Sequence, residues 1–256
     1  MRESLSAVIM TKDCEGLVEG TLRSVAGWAD EIVVLDGFSL DQTVEICRRY
    51  TTKVYQNRWD GYRFSTERNL GTSYATKDWC LHIDPDERAT PEFKAAVTRM
   101  LETGTPHAAF EFRKKNFFLG RWMRHGGWYH YSLHLFRRGK GVYEGVIHES
   151  LKVDGSVGKL EAPIEHYPFV SLSQFIRRHN GYSTREAQAR LEGGAPGGKE
   201  IAFNIRRKPL KRFVKFYLRK KGFLDGVHGL VFSALFAWVH FINWAKLWEL
   251  NENTHH

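Results

Sequence analysis

Trp79-Cys80-Leu81-His82-Ile83-Asp84-Pro85-Asp86-Glu87 is the stretch whose reading decides the fold. Trp79, Leu81 and Ile83 are spaced as a short buried strand, and Asp84, Asp86 and Glu87 follow at once. Carboxylates this close raise one another's pKa, so a strand rarely ends in them unless something offsets the charge. Two readings are open here. Asp84 and Asp86, two residues apart at a strand end, suit a hard, oxygen-seeking cation such as Mg2+ or Mn2+ whose shell is completed by substrate phosphates. The acids also suit the start of a helix over residues 91–101, where negative charge meets the positive end of the helix dipole.

Upstream, residues 5–10, 31–36 and 53–56 read as apolar strands, and residues 15–25, 42–50 and 64–75 have helical spacing. Strand and helix alternate, which predicts an α/β fold with a mostly parallel, Rossmann-like sheet and covering helices. Ligands gather at the carboxyl ends of such strands, and Thr11, Asp13, Asp36, Ser39, Asp41, Asp84 and Asp86 all fall there. Asp13, Ser39 and Asp41 could equally cap the helices that follow them. No G-x-G-x-x-G follows the first strand and no G-x-x-x-x-G-K-[ST] occurs, which leaves a dinucleotide fold or P-loop without support.

With these residues in view the chain resembles family 2 glycosyltransferases of GT-A fold. Ala7-Val-Ile-Met-Thr-Lys12, Trp28-Ala-Asp-Glu-Ile-Val-Val-Leu-Asp36, Ser39-Leu-Asp-Gln-Thr43, Arg68-Asn69 and Asp84-Pro-Asp-Glu87 carry the resemblance. Arg124-His-Gly-Gly-Trp128, Leu135-Phe-Arg-Arg138, Val146-Ile-His-Glu149 and Phe223-Leu-Asp-Gly226 are similar to the lipopolysaccharide core-biosynthesis (WaaE-like) branch. The family more often has Asn at position 13, Gly-Ser at 37–38, Gly at 42 and Ala at 85. The resemblance implies that Thr11, Asp13, Asp36 and Ser39 line a nucleotide-sugar site, with Asp36 accepting from a uracil-like base. It also implies that Arg68 lies near base or diphosphate, Asp84 near the ribose, and Asp86 on the metal. The acids of this half are then expected to converge on one cation that grips the donor's pyrophosphate.

Residues 106–168 change character. Ala109-Phe-Glu-Phe-Arg113 alternates like an antiparallel strand, and His125, Gly126, Gly127 and Trp128 combine donors, close-approach glycines and a stacking ring. Such a stretch suits an acceptor sugar, or else an ordinary aromatic loop over the sheet edge. An inverting transfer needs a base for the acceptor hydroxyl. Glu149, in the family's acidic position and beside His148, is the candidate, with Glu144, Asp154 and Glu165 as competitors and a surface salt bridge as the plain alternative. His148 is read as an acceptor contact or a structural hydrogen-bonder.

The net charge of +9 is local: residues 177–221 hold 14 Lys/Arg against three Asp/Glu. Residues 226–245 then contain no Asp, Glu, Lys or Arg, long enough to span a bilayer core. Polar residues gather loosely on one arc of that helix, which favours a helix lying on the membrane surface behind a polybasic patch. A true span and a buried or dimer-forming helix are the alternatives. Nucleic acid is not expected, because no binding motif accompanies the charge. The three cysteines have no ligand spacing and read as reduced core residues. No signal peptide is recognised.

The expectations are therefore three segments: 1–105 binding the nucleotide sugar, 106–170 binding the acceptor, and 171–256 a basic helical membrane-associating extension. Together they make an inverting, Mg2+- or Mn2+-dependent glycosyltransferase that moves a hexose, with glucose as the expected sugar, from a UDP-sugar. The acceptor is a membrane-held glycolipid such as lipopolysaccharide inner core, and the enzyme works at the cytoplasmic face of the inner membrane. A sugar nucleotidyltransferase and a non-catalytic membrane- or nucleic-acid-binding adaptor are the competing readings.

Overall fold

The computed structural model describes residues 2–58, 64–145, 149–194 and 196–253. The chain divides into two compact units, Met1–Lys115 with His130–His166, and Asn116–Tyr129 with Tyr167–His256.

The first unit opens with β1 (Leu5–Thr11), α1 (Glu15–Val25), β2 (Glu31–Asp36), α2 (Thr43–Arg48), β3 (Val54–Gln56), α3 (Phe64–Ser73) and β4 (Trp79–His82). β1 and β2 are buried along their whole length, as parallel strands covered on both faces must be. The parallel order is β3-β2-β1-β4. Alternate residues feed opposite faces. Leu5, Ala7, Ile9, Val34 and Leu81 join Val18, Leu22 and Val25 of α1, while Val8, Val33 and Cys80 join a second cluster with Tyr143 and Leu151. The register sets Thr11 beside Asp36 and Val8 beside His82, so the expected acids share one edge of the sheet.

Antiparallel strands extend the parallel part. After β5 (Glu87–Arg88) and α4 (Pro91–Thr103) come β6 (Ala109–Phe118), β7 (Arg121–Trp122), β8 (Tyr131–Arg137), β9 (Gly141–Glu144), β10 (Ser150–Val153) and β11 (Val157–Phe169). β8 pairs with β4, β6 with β8, and β5 with β11. Thr90 starts α4 by accepting from Phe93 N, with Pro91 in the first turn. The expected helix at 91–101 therefore forms, while Asp84 and Asp86 lie in the turn before β5 and Glu87 opens that strand.

The second unit holds the end of β6 paired with β7, α5 (Leu172–Glu192), α6 (Gly198–Phe213), a π-helical turn (Val214–Arg219), a short 3-10 turn (Gly222–Asp225) and α7 (Gly226–Asn253). Pro209 lies inside α6, and the widened π turn follows it. Phe118, Met123, Phe169, Phe175 and Phe232 form one core, and Ala187, Ile201, Trp244 and Leu247 tie α5, α6 and α7 together. Gly229 permits the tightest crossing, since a Cβ there would lie 1.8 Å from the Gly222 carbonyl oxygen. The segment Gly222–Asn253 is long and apolar enough to cross a membrane, with an 18-residue window of mean hydropathy 1.5. Asn243 donates to Glu186, and the Lys246 ammonium donates to Asn180 and Thr184, so polar groups of α7 are tied to α5.

Candidate active site

Two loops meet at the ends of β1 and β2. The Asp36 carboxylate accepts from Thr11 Oγ1 (2.9 Å), Ser39 N (2.9 Å), Ser39 Oγ (2.6 Å) and Gln56 Nε2 (3.2 Å). Four donors match the accepting capacity of an ionised carboxylate. Asp13 is at φ 45°, accepts from Leu40 N at 2.7 Å, and donates its own N–H to Ser39 Oγ at 2.9 Å. Asp41 accepts from Glu15 N and Thr43 N, so the capping alternative holds for Asp41: it satisfies free amides at the starts of α1 and α2. Phe38 departs from local preference. At φ 58° it is held in the left-handed region, a strain of roughly 1–3 kcal/mol for a bulky residue, and the residue is 44% exposed.

The second cluster is built by one face of α3. Asn69 exchanges hydrogen bonds with the backbone of Tyr143 at 2.9 Å each way, and Ser65 Oγ donates to Gly145 O at 2.6 Å. Residues three and four apart share a helix face, so Arg68 meets the same returning segment. Its Nε donates to Glu149 Oε1 at 2.7 Å and its Nη2 to Asp84 Oδ1 at 3.0 Å, with the guanidinium over the Tyr143 ring at 5.4 Å. Glu149 Oε2 is buried and takes no hydrogen bond among the described residues. Three residues singled out from sequence, Arg68, Asp84 and Glu149, thus share one ion-pair network.

Charge in the acidic turn is offset piecemeal. Burial opposes the ionised form of Asp84, yet Arg68 and then Lys114 more than compensate and hold its carboxyl below the usual carboxylate range. Glu87 is ion-paired with Lys114, yet burial outweighs that cation and pushes its carboxyl above the usual carboxylate range. Burial, reinforced by the cations Arg68 and Lys114, holds His134 neutral, and burial with Arg68 does the same to His82. Asp86 lies 3.6 Å from His166 Nε2. Among the described residues no group of three or more His, Cys, Asp or Glu is arranged for a metal. Asp86 and His166 supply one oxygen and one nitrogen donor, a set that fits a divalent ion, Mn2+ more readily than Mg2+, whose remaining ligands are phosphate and water.

The turn itself hangs on Thr21 and Arg88. Thr21 Oγ1 lies 3.2, 2.7 and 2.7 Å from the carbonyl oxygens of Asp84, Pro85 and Glu87, and the Arg88 guanidinium donates to Pro85 O and Leu17 O. Thr21→Val is expected to cost about 1–3 kcal/mol, because the converging groups lose their hydroxyl in a buried place. A urea midpoint equal to that of the parent would show that Arg88 alone holds the turn.

Of the acceptor candidates, His125, Gly126, Gly127 and Trp128 lie in the second unit. His125 N and Nδ1 are 2.9 and 3.1 Å from the buried Asp225 carboxylate. Gly126 and Gly127 have φ 74° and 78°, and Gly126 N donates to Lys220 O at 2.8 Å. The Trp128 ring packs on Phe232, centroids 4.5 Å apart. His148 lies outside the described residues. Lys114, His166 and Thr21 carry no site reading in the sequence, and Phe38 stands there only as a departure from the family's Gly-Ser. Of these, Lys114 left a signal, a cation in the inward register of Phe110, Phe112 and Phe118 on β6.

A family model described as "Glycosyl transferase family 2" matches residues 6–151. An uncharacterized glycosyltransferase of Rickettsia typhi is 25% identical over 97% of this chain and 88% of its own length. One from Rickettsia conorii is 26% identical over 97% and 91%. In fold, the crystal structure of S. aureus TarS 1-349 is similar over 99% of this chain and 92% of that one, with TM-score 0.50 at 12% identity.

Proposed function

We propose a donor, a base and an acceptor class from one premise: the chain belongs to glycosyl transferase family 2 and is a glycosyltransferase of GT-A-like fold. That membership sets aside the nucleotidyltransferase and adaptor readings. The proposed reaction is inverting transfer of a hexose, glucose in the first instance, from a UDP-sugar to a membrane-held glycolipid of the lipopolysaccharide inner-core kind. The observation that carries the reading is the Arg68 bridge, which joins a strand-end aspartate to a glutamate 65 positions further along with one oxygen left over.

Glu149 is the base: Arg68 fixes Oε1, and Oε2 takes the proton as the acceptor hydroxyl attacks the anomeric carbon. Asp84 faces the ribose, and Arg68 meets the base or diphosphate. Thr11, Asp13, Asp36 and Ser39 form the nucleotide pocket, in which the long Gln56 bond to Asp36 is the one a nucleobase N–H would replace. Asp86 and His166 would hold Mn2+ or Mg2+, which when bound offsets the charge of the leaving diphosphate. Segment 1–105 supplies the donor side apart from His166, and 106–170 the acceptor side. His125 and the Gly126-Gly127 backbone are the acceptor contacts, His148 belongs with them, and Trp128 braces their loop from within its aromatic cluster.

The segment 171–256 holds the enzyme peripherally on the cytoplasmic face of the inner membrane. Phe223, Leu224, Val227 and Leu230 are exposed near Arg219 and Lys221, and basic residues gain about 1 kcal/mol each at an anionic surface. The ties from Asn243 and Lys246 to α5 favour a helix lying on the bilayer over one crossing it.

Calorimetry of UDP with and without Mn2+ tests the donor half, and product analysis tests the reaction. Binding should require Mn2+, and turnover should release UDP rather than pyrophosphate. His166→Ala should weaken Mn2+-dependent binding by roughly 10–100-fold. UDP binding indifferent to Mn2+ in both proteins would remove the metal from the scheme.

A further inference from the structure

In the second unit, α5, α6 and α7 enclose a cavity of about 590 Å3, within the range of small-ligand pockets. Its lining carries Arg190, Arg207, Lys208 and Lys211, with Phe203, Asn204 and Trp244. Glu200 is the acid among the lining residues, and Glu186 bonds Arg190 at 2.6 Å. Four cations therefore meet two carboxylates, and the surplus is positive.

The aromatic groups are already used. Arg190 lies over the Trp244 ring at 4.9 Å and Lys208 at 5.9 Å, while Arg207 lies over Phe203 at 5.4 Å. Cation–π contacts fix the charged heads over the rings, so the cavity offers clustered donors rather than a ring for stacking a base. A second sign of the local field is His240. Burial and the charge of Arg212, with Glu186 opposing and Arg190 and Lys208 adding, lower its imidazole to about 4. Guanidinium and ammonium groups converging on one small volume match a phosphate, which accepts several charge-assisted bonds at once. Phe203 is 55% exposed and Trp248, one turn beyond Trp244, is 47% exposed, so apolar surface lies along the same helices.

We propose that this cavity is a phosphate-ester site that seats the headgroup of an anionic phospholipid. The site deepens the membrane association proposed above and rests on it for the source of the ligand. A lipid supplies both parts of the surface, the phosphate among the four cations and the acyl chain along the exposed rings. A free phosphate ester supplies the first part alone.

The test compares the parent protein with Arg207→Gln/Lys211→Gln, two exposed cavity cations, and with Lys199→Gln/Arg206→Gln, two exposed cations outside the lining. Each is measured by co-sedimentation with equimolar phosphatidylglycerol–phosphatidylcholine vesicles, with phosphatidylcholine vesicles, and by calorimetry with glycerol phosphate. The expected result is roughly 25-fold or greater loss of phosphatidylglycerol binding in the cavity pair, at about 5-fold per cation, and a smaller loss in the outside pair. Glycerol phosphate should bind the parent and the outside pair but not the cavity pair. Binding of glycerol phosphate without vesicle binding would support the phosphate site with a soluble source, and would overturn the membrane reading instead. Equal losses in both pairs, with no glycerol phosphate binding, would reduce the segment to diffuse charge and overturn the site while leaving the membrane reading standing.

Discussion

Replacing Glu149 by glutamine is expected to lower the transfer rate by roughly 10²–10⁴-fold, the usual worth of a positioned base, with Mn2+-dependent UDP binding unchanged. Glutamine has the shape of glutamate, and its carbonyl can still accept from Arg68 Nε, which holds Oε1 at 2.7 Å. What it loses is the second carboxylate oxygen, buried and without a hydrogen-bond partner among the described residues, which is the atom assigned to receive the proton. Because that interaction exists only as the acceptor attacks, kcat and kcat/KM should fall together. The competing carboxylates are engaged or placed otherwise. Asp154 is paired with Lys140 at 2.6 Å in an exposed position, and Glu144 is exposed on β9. Transfer at the parental rate by Glu149→Gln would move the base elsewhere, with Glu165 the next carboxylate to replace.

The strand ends were legible because they are written in consecutive residues. Runs such as Ile32–Leu35 are apolar throughout and are followed by an acid, and order alone places such ends along one edge of a parallel sheet. The long-range partners were not. Arg68 and Glu149 are 81 residues apart, and nothing in either neighbourhood names the other. The expectation of acids converging on one cation underestimated the protein's own cations. Arg68 and Lys114 already offset the burial of Asp84, Lys114 is also ion-paired with Glu87, and Asp86 is the acid found beside an imidazole. His166 escaped notice because a histidine near the end of a long strand has no distinguishing pattern until β11 brings it opposite Glu87. In the second unit the uncharged run 226–245 was visible as a long helix, while the π turn after Pro209 was not, since it depends on how α6 meets its neighbours.

Arg68→Met is expected to lower stability by about 3–5 kcal/mol at pH 7–8, the cost of stripping a buried charge of its partner. For a chain of this size that is a fall in Tm of roughly 10 °C. Methionine keeps most of the side-chain volume, so the loss is chiefly electrostatic: Asp84 and Glu149 would face each other with no guanidinium between them. The pH dependence separates this from a packing defect. In the parent, Asp84 is held below its unfolded value, so its contribution is present at neutral pH and lost only as pH falls through that low folded value. In the variant, burial is left opposed mainly by Lys114, and the neighbouring Glu149 carboxylate adds to it. The carboxyl then moves above its unfolded value, and stability declines as pH rises through the acid range. The gap in Tm between variant and parent should therefore narrow as the pH is brought down toward 4. Lys at position 68 should recover part of the loss but not the geometry, because an ammonium cannot bond two carboxylates in the fixed fork that Nε and Nη2 make. A gap of the same size at every pH would mean that Arg68 acts by packing on Tyr143, and the bridge would lose its place in the mechanism.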